Sequence, residues 1–136
     1  MAYEKKRKFP KKEGAFIKEF MKDFIKDSNV WFFKTHGEPM QTRGIPDVLL
    51  CYEGLFLGFE FKIMRHGKLN VTPYQDYTIN KINGANGLTF IVWFDEDNSE
   101  VGIATKRFAN RLLAIDYLKN ALSYKIDNFK EVIERV

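Results

Sequence analysis

Gly44-Ile45-Pro46-Asp47-Val48-Leu49-Leu50-Cys51-Tyr52-Glu53-Gly54-Leu55-Phe56-Leu57-Gly58-Phe59-Glu60-Phe61-Lys62-Ile63-Met64 reads as two apolar strands around a tight turn. Glu53-Gly54 is the turn, Ile45 to Tyr52 the strand before it and Leu55 to Met64 the strand that returns. Pro46 pushes Ile45 towards extended backbone, so Asp47 enters its strand near the start. Asp47 and Glu60 then lie a near-equal number of residues from the turn and face one another at roughly 5 Å between backbones. Strand alternation sends Glu60 and Lys62 to one side and Phe59, Phe61 and Ile63 to the core side. Like charges across a ladder repel, so something positive belongs between them. A hard, oxygen-seeking cation such as Mg2+ or Mn2+ fits; the alternative is Lys62 neutralising a structural acid cluster.

Outward from this hairpin, Lys12 to Lys26 has paired apolar residues every four positions (Phe16, Ile17, Phe20, Met21, Phe24, Ile25), which predicts an amphipathic helix. Val30 to Phe33 reads as a buried strand, followed by a polar loop from Thr35 to Arg43. Thr72-Pro73-x-Gln75 opens a second helix as a capping box with proline in the first turn, ending near Gly84 or Gly87. Leu88 to Phe94 is a further buried strand and Val101 to Ala104 a short one. A helix is expected from about Thr105 to Leu122, with Phe108, Leu112, Ile115, Leu118 and Leu122 on one face, and a last helical piece from Asn128 to Arg135. Meandering strands followed by a helical crossover predict an α/β fold, a mixed central sheet flanked by helices.

The 136 residues make one domain large enough for a core, 45% hydrophobic and 15% aromatic. One cysteine, Cys51, excludes an internal disulfide and suits a reducing cytoplasm. No apolar run approaches the ~20 residues of a membrane span, so a soluble intracellular protein is expected. The net charge of +4 is uneven: Lys5, Lys6, Arg7, Lys8, Lys11 and Lys12 stand against Glu4 alone in residues 1–12, while the other 124 residues hold 16 basic and 17 acidic side chains. Residues 1–12 therefore read as a basic flexible arm, either a phosphate-contacting tail or a solvated terminus, and residues 13–136 as the domain. A second basic loop is Arg65-His66-Gly67-Lys68.

Glu13 falls within the apolar arc of the first helix, where it answers either the helix dipole or a metal site. Gln75 shares a face with Ile79 and Ile82 and points inwards, yet capping alone would account for it. His36 and His66 lack zinc-ligand spacing, and no nucleophilic Ser or Cys pattern or Gly-rich phosphate loop is present.

The ordered set Glu13, Gly44-Ile45-Pro46-Asp47, Glu60-Phe61-Lys62 and Gln75 resembles the PD-(D/E)xK nuclease superfamily. More narrowly it is similar to the virus-type replication-repair nuclease domain and the Holliday junction resolvases, over roughly Glu13 to Phe94. The loop Thr35-His36-Gly37-Glu38-Pro39 leading into Arg43-Gly44 fits the same likeness. The resemblance implies a restriction-endonuclease-like core and a DNA endonuclease of recombination or repair, of bacterial or viral origin. It implies that Asp47, Glu60 and the Phe61 carbonyl bind Mg2+ or Mn2+, with Glu13 completing the site directly or through water. Lys62 would orient or deprotonate the attacking water, and Gln75 would position Lys62 or the phosphate. Lys5, Lys6, Arg7, Lys8, Lys11, Lys12, Arg43, Arg65 and Lys68 are the expected DNA contacts, and symmetric cutting of a junction implies a homodimer. A less selective or flap-processing nuclease, and a non-catalytic nucleic-acid-binding domain, are the competing readings. The region after Val101 has no counterpart in the motif set.

Overall fold

The hairpin organises a six-stranded sheet. In the computed structural model, residues 2–35 and 44–135 are described, with side chains described for 13–35 and 44–127. The chain runs α1 (Ala2–Ile25), β1 (Val30–Lys34), β2 (Val48–Tyr52), β3 (Leu55–Met64), α2 (Pro73–Gly84), β4 (Leu88–Asp95), β5 (Glu100–Ile103), β6 (Lys106–Phe108) and α3 (Arg111–Arg135). Strand order in the sheet equals strand order in the chain. Every neighbouring pair is antiparallel except β3 and β4, which run parallel because α2 carries the chain back between them. The α/β class and mixed sheet are those expected, and are consistent with a restriction-endonuclease-like core.

The sheet has one covered face. Leu50, Leu57, Phe59, Phe61 and Val92 project towards α1 and α3, whose Phe20, Phe24, Ile115, Leu118 and Leu122 close the core. The rings of Phe20, Phe24, Phe59 and Phe61 are fully buried and meet mostly edge to face. Burial of each contributes about 1.5–3 kcal/mol, with the ring geometry adding to it. Arg111 ties the two helices together through Asp23 at 2.7 Å and Glu19 at 3.2 Å.

Several boundaries differ from expectation. α1 starts at Ala2 rather than Lys12, so the basic stretch carries helical backbone continuous with the amphipathic segment. Ala, Glu, Lys and Arg favour helix without needing an apolar face, which is the only signal the periodicity reads. β1 is an edge strand, not a buried one: Trp31 and Phe33 are 67% and 50% exposed. The helix expected from Thr105 begins at Arg111, because Lys106–Phe108 pairs with β5 and Asn110 caps the helix, accepting from the Leu113 N–H at 3.0 Å. Leu112 consequently turns outward, and Asn128 to Arg135 continues α3 instead of forming a separate piece, no Gly or Pro intervening.

Candidate active site

Asp47 immediately precedes β2, and the register Val48↔Phe59 sets it opposite Glu60. The ladder stops there for a chemical reason: the next residue back is Pro46, which has no N–H to offer. The Phe61 carbonyl thereby finds no backbone donor in Pro46, and the Phe61 N–H donates to the Asp47 side chain, at Oδ2, over 2.8 Å. A strand residue directs its N–H and C=O to the same edge, so the Phe61 carbonyl shares the edge with the Asp47 carboxylate. Thr35, at the end of β1, fixes the approach: its Oγ1 donates to the Pro46 carbonyl at 2.8 Å, and its N–H to the Asp47 carbonyl at 2.8 Å.

Two glycines let this segment sit where it does. Gly44 has φ +85°, and a Cβ there would run into the Tyr74 carbonyl in the first turn of α2. A Cβ on Gly58 would lie 3.1 Å from the Pro46 ring, so the bare strand position makes room for Pro46, which is buried. Neither Gly44, Gly58 nor Thr35 stood out in the sequence as a shaping residue. An isolated glycine within a strand is the one signal that marks a close backbone approach.

Gln75 joins the two halves of the site and ends the choice between cap and inward role, since it does both. Its N–H donates to Thr72 Oγ1 at 3.2 Å and its Oε1 accepts from the Thr72 N–H at 3.0 Å, a complete capping box. The same Oε1 accepts from Lys62 Nζ at 2.9 Å, and Nε2 donates to Glu60 Oε1 at 2.9 Å. Lys62 Nζ stands 3.8 Å from Glu60 Oε1, both side chains largely buried.

The electrostatics are short of positive charge. Burial, then the Asp47 charge, push the Glu60 carboxyl up to about 8, with Lys62 pulling the other way. Glu13 is raised as well, by burial first and then by Asp47, and Lys62 again opposes it. Glu13 thus belongs to the same charge cluster, reached from α1. Among the described residues no three acid, His or Cys side chains are close enough to form a ready-made metal cage. What the chain offers is an all-oxygen pair of facing carboxylates, a backbone carbonyl on the same edge and a more distant third acid. That donor set and its surplus negative charge suit a hard divalent cation, not zinc.

Beside the carboxylates lies an open cleft lined by Glu13, Lys62, Arg65, Gly67, Lys68 and Thr72. Arg65 and Lys68 are therefore brought to the site, although Arg65 is also held by Glu96 at 2.8 Å. The Arg65–Lys68 loop is pinned by the turn after β4, whose Asp97 accepts from the His66 N–H at 2.8 Å. Lys5, Lys6, Arg7, Lys8, Lys11 and Lys12, as side chains, and Arg43 and the loop 36–43 altogether, lie outside the described residues.

Over 101 residues, 68% of its length, the chain is 28% identical to the Holliday junction resolvase RecU of Mycoplasmopsis pulmonis. The matched stretch covers 64% of that relative. No protein-family model matches the chain, and no solved structure matches it.

Proposed function

We propose that this chain is a metal-dependent DNA endonuclease that hydrolyses phosphodiesters in branched DNA, in the manner of a Holliday junction resolvase. The observation that carries the reading is the pairing of Asp47 and Glu60 across adjacent strands, with Lys62 held between Glu60 and Gln75. Similarity to a junction resolvase supports the substrate class.

Asp47, Glu60 and the Phe61 carbonyl would hold Mg2+ or Mn2+, with Glu13 reaching it directly or through water. When bound, the cation lowers the pKa of a coordinated water and stabilises charge developing at phosphorus. Lys62 positions the attacking water, takes part in its deprotonation and offsets charge on the phosphate oxygens. Gln75 keeps Lys62 aimed, because one carbonyl oxygen receives both the ammonium and the helix-capping N–H. Arg65 and Lys68 contact flanking phosphates along the cleft, and the basic stretch from Lys5 to Lys12 adds non-specific affinity. Cutting two strands of a junction symmetrically takes two such sites, hence a homodimer.

The test is cleavage of a four-way junction, a flap and a linear duplex with and without Mg2+, wild type beside Asp47→Ala. Mg2+-dependent cutting of the junction in preference to duplex is expected, with a loss of roughly 10²–10³-fold or more in the variant. Preference for the flap would move the substrate assignment. Equal activity in wild type and Asp47→Ala would end the nuclease reading.

A further inference from the structure

α2 buries none of its residues. Its inward side is Gln75, Ile79 and Ile82, each only half-buried. Round the helix from these, at spacings of three and four residues, Tyr74, Tyr77, Thr78 and Lys81 form one stripe. Tyr74 and Tyr77 are 56% and 64% exposed. Lys81 is exposed as well, its Nζ 5.7 Å from the centre of the Tyr77 ring. Asp76, the one acid of the helix, falls on the opposite flank.

Two observations place the stripe. Gln75, the residue after Tyr74, accepts from Lys62 at 2.9 Å, so the stripe starts beside the candidate site. α2 lies over the sheet face that carries Glu60 and Lys62, and a step from β3 to parallel β4 across that face is right-handed. That hand turns Tyr74, Tyr77 and Lys81 towards β2 and leaves Asp76 on the side of β4. Gly44, on its way into β2, accordingly lies against the Tyr74 carbonyl.

Single aromatics scattered on a surface are ordinary, but two on one stripe, beside a cation and at the head of a charged cleft, are not. Charge and chemistry choose the occupant. The centre of a protein contact is poor in Lys, whereas surfaces that hold single-stranded nucleic acid combine aromatic rings with cations. The stripe carries no acid, and the cleft at its head adds Lys62, Arg65 and Lys68. From Tyr74 to Lys81 the helix rises about 10 Å, roughly three nucleotides of one stacked strand. Paired bases keep their faces inside the duplex stack, so these rings can reach only unpaired ones.

We propose that the Tyr74–Tyr77–Lys81 stripe of α2 binds unpaired nucleotides beside the scissile phosphate, the tyrosines stacking on bases and Lys81 meeting the strand's phosphates. The proposal rests on the endonuclease reading for the position of the cut and deepens it: the substrate carries unpaired bases where it is cut, as at a branch point. Fluorescence anisotropy of the full chain, without divalent cation, reads binding of a labelled oligothymidylate and of a duplex of equal length. Tyr77→Ala should weaken oligothymidylate binding roughly tenfold or more, and duplex binding less than about twofold. Tyr77→Phe keeps the ring and should bind as wild type does. Tyr124→Ala, at a 72% exposed position on α3, should also bind as wild type. Lys81→Gln should lower the salt slope on oligothymidylate by about 0.7. If Tyr77→Ala lowers the melting temperature, Tyr77→Leu is measured instead and should show the same loss.

Unchanged oligothymidylate affinity in Tyr77→Ala, or in Tyr77→Leu where that replaces it, overturns the proposal. So does an equal loss on duplex and single strand, or a loss that Tyr77→Phe shares. Failure of one reading is distinct from failure of the other. A chain that binds oligothymidylate through Tyr77 yet cuts no DNA with Mg2+ keeps the stripe and removes the nuclease. A chain that cuts junctions with Mg2+ and whose binding ignores Tyr77→Ala keeps the nuclease and removes the stripe.

Discussion

Gln75 does two jobs with one side chain, and substitution separates them. Thr72→Ala removes the N-cap and should cost about 1 kcal/mol of stability while leaving cleavage within a few-fold of wild type. Gln75→Ala removes the cap partner and the link to Lys62 and Glu60, so cleavage should fall by roughly 10–100-fold as well, as for groups that orient a metal site. Thermal melts beside single-turnover cleavage read the difference. Glu60 makes a second prediction. Its folded pKa is raised from 4.5 to about 8, so the folded state binds the proton more tightly than the unfolded chain. That contribution to stability is complete below about pH 4.5 and is lost as pH rises through about 8. The metal-free protein should therefore melt at progressively lower temperature as pH rises across that window, and Glu60→Gln should flatten the trend. Divalent cation binding at neutral pH should release protons, seen as a dependence of calorimetric heat on buffer ionisation enthalpy; no release would remove Glu60 from the ligand set.

Elements meet through single points that a substitution can probe. Gly44 is where the segment entering β2 touches the first turn of α2, so Gly44→Ala acts on both. Its positive φ alone costs about 1–2 kcal/mol in a residue with a Cβ, and the collision with Tyr74 shifts Gln75. Cleavage should suffer more than the melting temperature suggests. At the end of β4, Asp95 is buried and accepts from Arg107 at 2.8 Å, with Asn98 assisting; these hold its carboxyl down at about 2. A lowered pKa stabilises the fold above about pH 3.8 and ceases to as pH falls through 2. Asp95→Asn should thus destabilise at pH 7 and approach wild type in strong acid, as followed by denaturant melts across pH. Elements are also where the sequence was most and least legible. Counting from Glu53-Gly54 located β3 and set Asp47 against Glu60, because a two-residue turn dictates register. The exposure of β1 was invisible, since an apolar run such as Val30-Trp31-Phe32-Phe33 looks the same at an edge as in a core. β6 was missed because three residues are too few for a period. The meeting of Gly44 with Tyr74 is a tertiary approach that no local pattern carries.

At the level of the whole molecule, charge is concentrated before the domain core. If the basic stretch lies against phosphate, replacing Lys5, Lys6, Arg7 and Lys8 by Gln should weaken DNA binding and flatten its salt dependence by up to about 0.9 for each phosphate no longer neutralised. Filter binding between low and moderate salt checks this; an unchanged slope would make the stretch a passive terminus. The sheet itself has a further consequence. Since each strand lies next to its chain neighbour, most of the sheet can grow by short-range closure, and only the β3-to-β4 step waits on a helical crossover. The hairpin bearing Asp47 and Glu60 needs none of the long-range closures. The core face is different: it is roofed by the first helix and the last, so it stays partly wet until the chain has been traversed from end to end. Nucleation and completion are thus assigned to different parts of the protein, the acidic hairpin to the one and the clasp of α1 with α3 to the other.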